Sequence, residues 1–219
     1  IAHDLRSPMG SIKMVLNMLI LNLPVEKIGT EMHELLTMAN RTTEDVFSLL
    51  DNLLKWTKSQ IGNLNVVYQD IDAVEVMDSV IDVFNMIAGL KKITIREEKP
   101  EKLPVCADID MLKTVIRNLL SNAIKFSNEN SEVLVKMEEQ GDMVVVSVKD
   151  NGCGIDEEGQ KKLLHTDTHF STFGTNNEEG SGLGLLLCQD FVVKNGGKLW
   201  FTSKQGEGST FYFSIPLKK

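Results

Sequence analysis

The sequence of 219 residues contains little cysteine and no long apolar run. Its three cysteines, Cys106, Cys153 and Cys188, are far apart and form no Cys-x-x-Cys pair, which argues against a zinc site and a disulfide framework. Scattered thiols of this kind fit a reducing, intracellular setting. The longest apolar stretch, near Met14–Leu23, is interrupted by two asparagines, and it is too short for the roughly 20 apolar residues of a membrane span.

The sequence also has no excess of basic residues. It contains 31 Asp and Glu against 23 Lys and Arg, a formal net charge of −8. This balance argues against a nucleic-acid binder, since such a protein needs clustered Lys and Arg to follow the phosphate backbone. Hydrophobic residues make up 42% and charged residues 25%, so a disordered chain is not expected. Because the chain begins at Ile1, we expect it to be a fragment of a longer protein.

Residues 1–60 carry apolar side chains at alternating steps of three and four, which predicts two helices with heptad seams. The seams consist of Ala2, Leu5, Met9, Ile12, Leu16, Leu19 and Leu23 in the first helix, and of Ile28, Met32, Leu35, Ala39, Val46, Leu49, Leu53 and Trp56 in the second. Pro24 separates the helices because proline cannot continue a helix. We expect a helical hairpin that pairs with a second copy into a four-helix bundle. Packing of the hairpin on its own C-terminal domain is the alternative.

From about Asp70 onwards, helical patterns alternate with short β-like runs. The predicted helices are 73–90, 110–126 and 183–194, and the predicted strands are 92–97, 133–138, 143–149, 198–203 and 210–215. The last two strands are expected to form a hairpin. The fold class is therefore α+β, a sandwich of helices and mostly antiparallel strands that follows the helical hairpin.

Three polar side chains share one edge of the helix predicted at 110–126. Asn118, Asn122 and Lys125 are spaced i, i+4 and i+7, which aligns them along the helix. Two amide oxygens suit a hard cation, and a lysine ammonium suits phosphate. The alternative for this edge is a solvated polar face.

Two glycine-rich motifs accompany this helix. Asp150–Ile155 follows a strand, where the glycines allow close approach of the backbone and the aspartate can accept a hydrogen bond from an exocyclic amine; a tight turn is the alternative. Gly180–Leu185 opens a helix, and the free N–H groups of a helix start attract anions. The polar stretch 157–179 between them is interpreted as a lid, with a disordered insertion as the alternative.

His3 is the candidate nucleophile. If Ala2 and Leu5 occupy positions a and d of the heptad, His3 is at position b and points to water. An exposed imidazole is a usable nucleophile, and the neighbouring carboxylate of Asp4 can fix its tautomer. An ordinary surface histidine is the alternative, and we assign His33 to that class.

Together, these motifs resemble those of sensor histidine kinases of two-component signalling, over essentially the whole chain. The segment His3–Pro8 resembles the phosphoacceptor box of this family, and Asn118–Phe126 resembles its asparagine box. Its two glycine boxes are resembled by Asp150–Ile155 and Gly180–Leu185. The segment Gly206–Thr210 resembles the closing turn near the nucleotide. The resemblance implies a dimerisation and phosphotransfer hairpin at 1–61, a linker at 62–69 and a Bergerat-type ATP-binding domain at 70–219, with a lid at about 156–181.

The resemblance also implies roles for the residues of an ATP site. Asp150 would bind the adenine amino group and Phe126 would lie near the base. Lys125 would contact phosphate, and Asn122, with Asn118, would hold a Mg²⁺ ion that bridges the phosphates. The remaining residues assigned to the ATP site are Gly152, Gly154, Ile155, Gly180, Gly182, Leu183, Gly184 and Thr210.

The same resemblance implies the reaction and its partners. His3 would attack the γ-phosphorus through Nε2, with Asp4 as base or orienter, and the phosphoryl group would pass to an aspartate on the receiver domain of a response regulator. Ser7 stands where relatives with phosphatase activity usually carry Thr or Asn, so phosphatase activity stays open. The expected setting is a homodimer in the cytoplasmic region of a bacterial protein, with any membrane anchor in a sensor region upstream. A Bergerat-fold ATPase and an ATP-sensing scaffold without phosphotransfer are the alternatives.

Overall fold

The computed structural model describes residues 2–23, 25–60, 65–163, 174–175 and 182–218. The chain divides into two compact units, Ile1–Leu64 and Asn65–Lys219. Within the described ranges, no helix is both long enough and apolar enough to cross a membrane.

The first unit is a helical hairpin. Its helices are α1 (Ala2–Asn22), α2 (Val25–Ile28) and α3 (Thr30–Gln60). The long helices pack against each other, and the side-chain amide of Asn40 donates a hydrogen bond to Oδ1 of Asn17 at 3.1 Å. The sequence predicted two helices with a break after α1. It missed the short α2, which is separated from α3 by Gly29 at a positive φ of 78°.

The second unit has the α+β architecture that the sequence predicted. Its helices are α4 (Ala73–Leu90), α5 (Ile109–Phe126), α6 (Glu157–Lys162) and α7 (Leu183–Lys194). Its strands are β1 (Gln69–Asp72), β2 (Thr94–Glu98), β3 (Pro104–Ala107), β4 (Glu132–Gln140), β5 (Met143–Lys149), β6 (Leu199–Lys204) and β7 (Gly208–Pro216). The sequence missed β1, β3 and α6.

The strands of this unit form a five-stranded sheet in the order β2-β4-β5-β7-β6 and a separate pair of β1 with β3. β2 and β4 are parallel, whereas the other neighbouring strands are antiparallel, so the predicted hairpin of β6 and β7 is confirmed. From Glu132 to Glu138, strand β4 alternates between half-buried and buried side chains, as expected for a strand with one face against the core. Helices α4, α5 and α7 pack against the sheet.

Helix α5 shows how the core positions polar groups. Its apolar side chains are buried: Met111, Leu112, Val115, Ile116, Leu119, Leu120, Ala123 and Ile124. Asp108 begins the helix by accepting hydrogen bonds from the N–H groups of Asp110 and Met111. Because the apolar stripe faces the core, Asn118 and Asn122 are half-buried along the helix edge.

Candidate functional site

The candidate site begins at Asp150, directly after β5. Its side chain is only 3% exposed, and Oδ1 accepts hydrogen bonds from the backbone N–H groups of Gly152 at 2.9 Å and Ser209 at 3.1 Å. Burial raises the pKa of this carboxyl group, and the backbone donors oppose that shift. Both of these donors contact Oδ1 and not Oδ2.

Two glycines let the surrounding backbone approach Asp150. A Cβ on Gly152 would lie 2.0 Å from the carbonyl oxygen of Phe126, and one on Gly208 would lie 2.2 Å from that of Asp150. Gly208 also has a φ of 96°, which other residues rarely adopt. Ser127 and Gly152 form an isolated antiparallel bridge. These close approaches fix the end of α5 against the start of the Asp150 motif.

The rest of the Asp150 motif contacts β6. Gly154 lies against the backbone of Lys204, and the N–H of Ile155 donates to Oγ of Ser203 at 2.9 Å. Thr210 pairs with Lys149 across β5 and β7 and is half-buried. It directly follows Ser209, whose N–H holds Asp150, so Thr210 lies at the same end of the sheet.

The polar edge of α5 faces the start of α7. The Asn118 amide group donates a hydrogen bond to the carbonyl of Thr114 at 3.1 Å, and its Oδ1 lies 3.0 Å from where a Cβ on Gly184 would be. Asn122 follows one turn later on the same edge. At the end of the helix, the Nζ atom of Lys125 lies 5.0 Å from the centre of the Phe126 ring.

The start of α7 has a glycine at its N-cap. Gly182 occupies the N-cap with a φ of 66° and supplies no side-chain cap to the helix. The first N–H groups of an α-helix have no partner within the helix, and they carry the positive end of its dipole. Leu183 is buried and Gly184 is half-buried in the first turn, so the polar edge of α5 borders a glycine-lined helix start.

The structure therefore brings most of the predicted ATP-site residues into one region of the second unit, namely Asn118, Asn122, Lys125, Phe126, Asp150, Gly152, Gly182, Leu183, Gly184 and Thr210. Gly180 lies outside the described residues, as do the side chains of His3, Asp4 and Ser7, although α1 includes those three positions. Most of the predicted lid also lies outside them. The part that is described contains α6, which the sequence analysis missed although Asp156 before two glutamates is an N-cap signal.

Sequence reasoning also missed three residues of this region. The N–H of Ser209 binds Asp150, and the only sequence signal for Ser209 was its position within the Gly206–Thr210 motif. Lys91 and Thr175 contact the end of α5 from distant parts of the chain, and no sequence pattern signalled either residue.

Residues 107–219 match a family of ATPases described as histidine kinase-, DNA gyrase B- and HSP90-like. The chain belongs to this family. Similarity to proteins named as sensor kinases agrees with the resemblance found in the sequence. The chain is 30% identical over 224 residues to the adaptive-response sensory kinase SasA of Crocosphaera subtropica, covering 99% of this chain and 58% of that protein. It is 28% identical over 221 residues to the sensor histidine kinase WalK of Bacillus subtilis, covering 100% of this chain and 36% of that protein.

Solved structures agree with this assignment. The nucleotide-free catalytic domain of the histidine kinase ThkA is 30% identical, with a TM-score of 0.60 over 69% of this chain and 96% of that domain. Full-length ShkA in complex with AMPPNP is 22% identical, with a TM-score of 0.74 over 100% of this chain and 45% of that chain, which shows a shared fold. The chain spans little more than half the length of the SasA relative.

Proposed function

We propose that this chain is the kinase region of a sensor histidine kinase, which binds ATP in its second unit and transfers the γ-phosphoryl group to His3. The observation that carries this proposal is the buried Asp150 carboxylate. Its Oδ1 is fixed by two backbone N–H groups, so its orientation is set before any ligand arrives. Oδ2 would then accept a hydrogen bond from the exocyclic amine of adenine.

The triphosphate would lie between α5 and the start of α7. The N–H groups of Gly182, Leu183 and Gly184 would face its oxygens, with Gly180 just before them, and the ammonium of Lys125 would supply a compact positive charge. Phe126, Gly152, Gly154, Ile155 and Thr210 complete the proposed ATP site around Asp150.

The polar edge of α5 fits a magnesium ion. Among the described residues, no three His, Cys, Asp or Glu side chains gather into a metal site. Mg²⁺ bound to a nucleotide needs only one or two protein oxygens, since phosphates and waters fill its other positions. The amide oxygens of Asn122 and Asn118 can supply these ligands. The ion would neutralise charge on the phosphates.

For the transfer itself, Nε2 of His3 would form a bond to the γ-phosphorus while the bond from that phosphorus to the β,γ-bridging oxygen breaks and ADP leaves with the electron pair. Asp4 would orient the imidazole through Nδ1–H and stabilise its positive charge. The phosphoryl group would then pass to a receiver-domain aspartate of a response regulator. Ser7 follows one turn later and could orient a water if the region also acts as a phosphatase.

The exposed seam of the hairpin supports a homodimer. Six apolar seam residues are between 37% and 53% exposed in the single chain, namely Ile12, Leu19, Met32, Leu35, Val46 and Leu49. Such a continuous apolar stripe favours burial against another helix pair. We therefore propose that two hairpins pair into a four-helix bundle.

The proposal is tested with γ-labelled ATP and Mg²⁺. The parent chain should acquire acid-labile, base-stable phosphate, His3→Ala should acquire none while it still binds ATP, and Asp150→Asn should lose both. His33→Ala removes another histidine of the same unit and serves as the matched control, which should label like the parent. Steady ATP turnover that survives the loss of His3 would instead support the ATPase alternative. Tight ATP binding by the parent without labelling would support the scaffold.

A further inference from the structure

Lys91 is a buried lysine outside the motifs discussed so far. It directly follows α4, is only 7% exposed, and its Nζ donates hydrogen bonds to the carbonyl oxygens of Ile124 at 3.0 Å and Lys125 at 2.9 Å and to Oγ1 of Thr175 at 2.5 Å. An ammonium group can only donate hydrogen bonds, so all three of these contacts use its N–H groups. Burying a charged group is costly unless hydrogen bonds satisfy it, so a buried lysine with these contacts indicates a specific structural role.

One part of this role concerns the C-terminal end of α5. The last carbonyl groups of an α-helix have no partner within the helix, and they carry the negative end of its dipole. The N–H of Ser127 binds the carbonyl of Ala123, and Lys91 takes the next two. Lys91 therefore caps the helix end that carries Lys125 and Phe126, the residues proposed to meet phosphate and base.

The other part of the role of Lys91 concerns Thr175, which lies between α6 and α7 in the sequence. Its N–H donates to the carbonyl of Lys125 at 3.2 Å, and its hydroxyl lies 3.1 Å from that oxygen and 2.9 Å from the carbonyl oxygen of Ser127. The hydroxyl proton can serve one of these carbonyls at a time, while the hydroxyl oxygen accepts from Lys91. Ser127 forms a β-bridge with Gly152, so this bridge links the hydrogen-bond partner of Thr175 to the Asp150 motif.

We propose that Lys91 is a positioning residue for nucleotide binding, acting through Thr175 and the end of α5 without touching the nucleotide. This inference rests on the proposed ATP site. The ammonium holds Thr175 against the helix end that bears Lys125 and Phe126. When the ammonium is lost, Thr175 loses one of its partners and the helix end loses its cap, so the nucleotide must order both on binding and its affinity falls.

The test measures the dissociation constant of ATP by isothermal titration with the full chain. Lys91→Met removes the charge but keeps an unbranched side chain, and Thr175→Val removes the hydroxyl but keeps the shape. Each should weaken ATP binding about tenfold, as the loss of one hydrogen-bonded partner typically does. Lys92→Met alters the next residue, which is exposed, and should bind like the parent. Thr175→Ser restores the hydroxyl and should also bind like the parent.

The double variant distinguishes a shared action from two separate ones. If Lys91 acts through Thr175, Lys91→Met with Thr175→Val should bind ATP about as well as either single variant. Without nucleotide, hydrogen exchange at the Thr175 amide should be faster in Lys91→Met than in the parent. Thr175 is exposed, so its variants keep the test available even if Lys91→Met unfolds.

Parental affinity in both single variants, or multiplied effects in the double variant, would overturn this inference. The proposed ATP site would be unaffected as long as Asp150→Asn still weakens binding. If the parent chain binds no ATP, the proposed function fails and the inference fails with it.

Discussion

At Asp150, burial raises the pKa of the carboxyl group and hydrogen bonds from the backbone lower it, and burial has the larger effect. A carboxyl group whose pKa is higher in the folded chain than in the unfolded chain favours folding at low pH. This contribution is fully present below the unfolded pKa of about 4 and is lost as the pH rises through the folded value. At neutral pH, the ionised Asp150 therefore costs stability, which fits a group kept for binding.

The raised pKa of Asp150 leads to a prediction for the stability of Asp150→Asn in the absence of nucleotide. The amide oxygen can still accept from Gly152 and Ser209, and no charge is buried, so the free energy of unfolding at pH 7 should equal or exceed that of the parent. Urea denaturation between pH 4 and pH 8 measures it, and any gain should shrink towards pH 4. Glu101→Gln, at an exposed carboxylate, is the control. A variant clearly less stable than its parent at pH 7 would contradict this account of Asp150.

The glycines differ in what a side chain would meet. Gly152→Ala would place a Cβ 2.0 Å from a backbone oxygen, so the bridge to Ser127 must move apart. We expect a loss of about 2 kcal/mol or more in the free energy of unfolding. Gly89→Ala, in α4, meets nothing within 4 Å and should gain about 0.5–1 kcal/mol from helix propensity. Urea denaturation of both variants checks this, and equal losses would disprove the role given to Gly152.

At the scale of elements, the sequence was sufficient to predict the structure wherever the residue pattern is local and regular. The i, i+4, i+7 spacing placed Asn118, Asn122 and Lys125 on one edge of α5, and the structure has them there. By contrast, β1 and β3 have only four residues each, too few for an alternating pattern to stand out. Their pairing joins distant stretches of the chain, and so does the contact of Lys91 with Thr175, 84 residues away. Such contacts depend on tertiary packing, which local patterns do not encode.

The start of α5 gives a prediction at this scale. Asp108 accepts hydrogen bonds from the N–H groups of Asp110 and Met111, and its Oδ2 accepts one from the N–H of Val67 at 2.9 Å. Asp108→Ala leaves three donors without this partner, so the free energy of unfolding should fall by about 2 kcal/mol.

Asp110→Ala is the matched control for this change. Asp110 is exposed in the first turn of the same helix, where its carboxylate lies near the positive end of the helix dipole. Its loss should cost about 0.5 kcal/mol in a urea titration. Equal losses for the two variants would show that the cap at Asp108 does not determine the stability of α5.

For the whole molecule, the two units divide the proposed work. The second unit carries the proposed ATP site, and the first carries His3 and the apolar seam. Sedimentation equilibrium should find the parent chain as a dimer at micromolar concentration. Leu35→Glu changes a seam residue that is 53% exposed in the single chain, and it should shift the chain to monomers because a charge would be buried at the helix pairing.

Met86→Glu is the control for that experiment. Met86 is 73% exposed, but it belongs to α4 of the second unit and is not one of the seam residues. The Met86 variant should remain a dimer. A monomeric parent, or a Leu35 variant that still dimerises as tightly as the parent, would contradict the proposed four-helix bundle.

The most direct test of the central claim locates the phosphoryl group itself. After incubation with Mg²⁺ and ATP, the chain is digested with trypsin without exposure to acid, and the fragments are sequenced by mass spectrometry. We predict phosphate on the fragment that ends at Arg6, attached to His3, and none on that fragment in Asp150→Asn. Phosphate found only elsewhere in the chain, or equal phosphate at His3 in Asp150→Asn, would contradict transfer from this ATP site to His3.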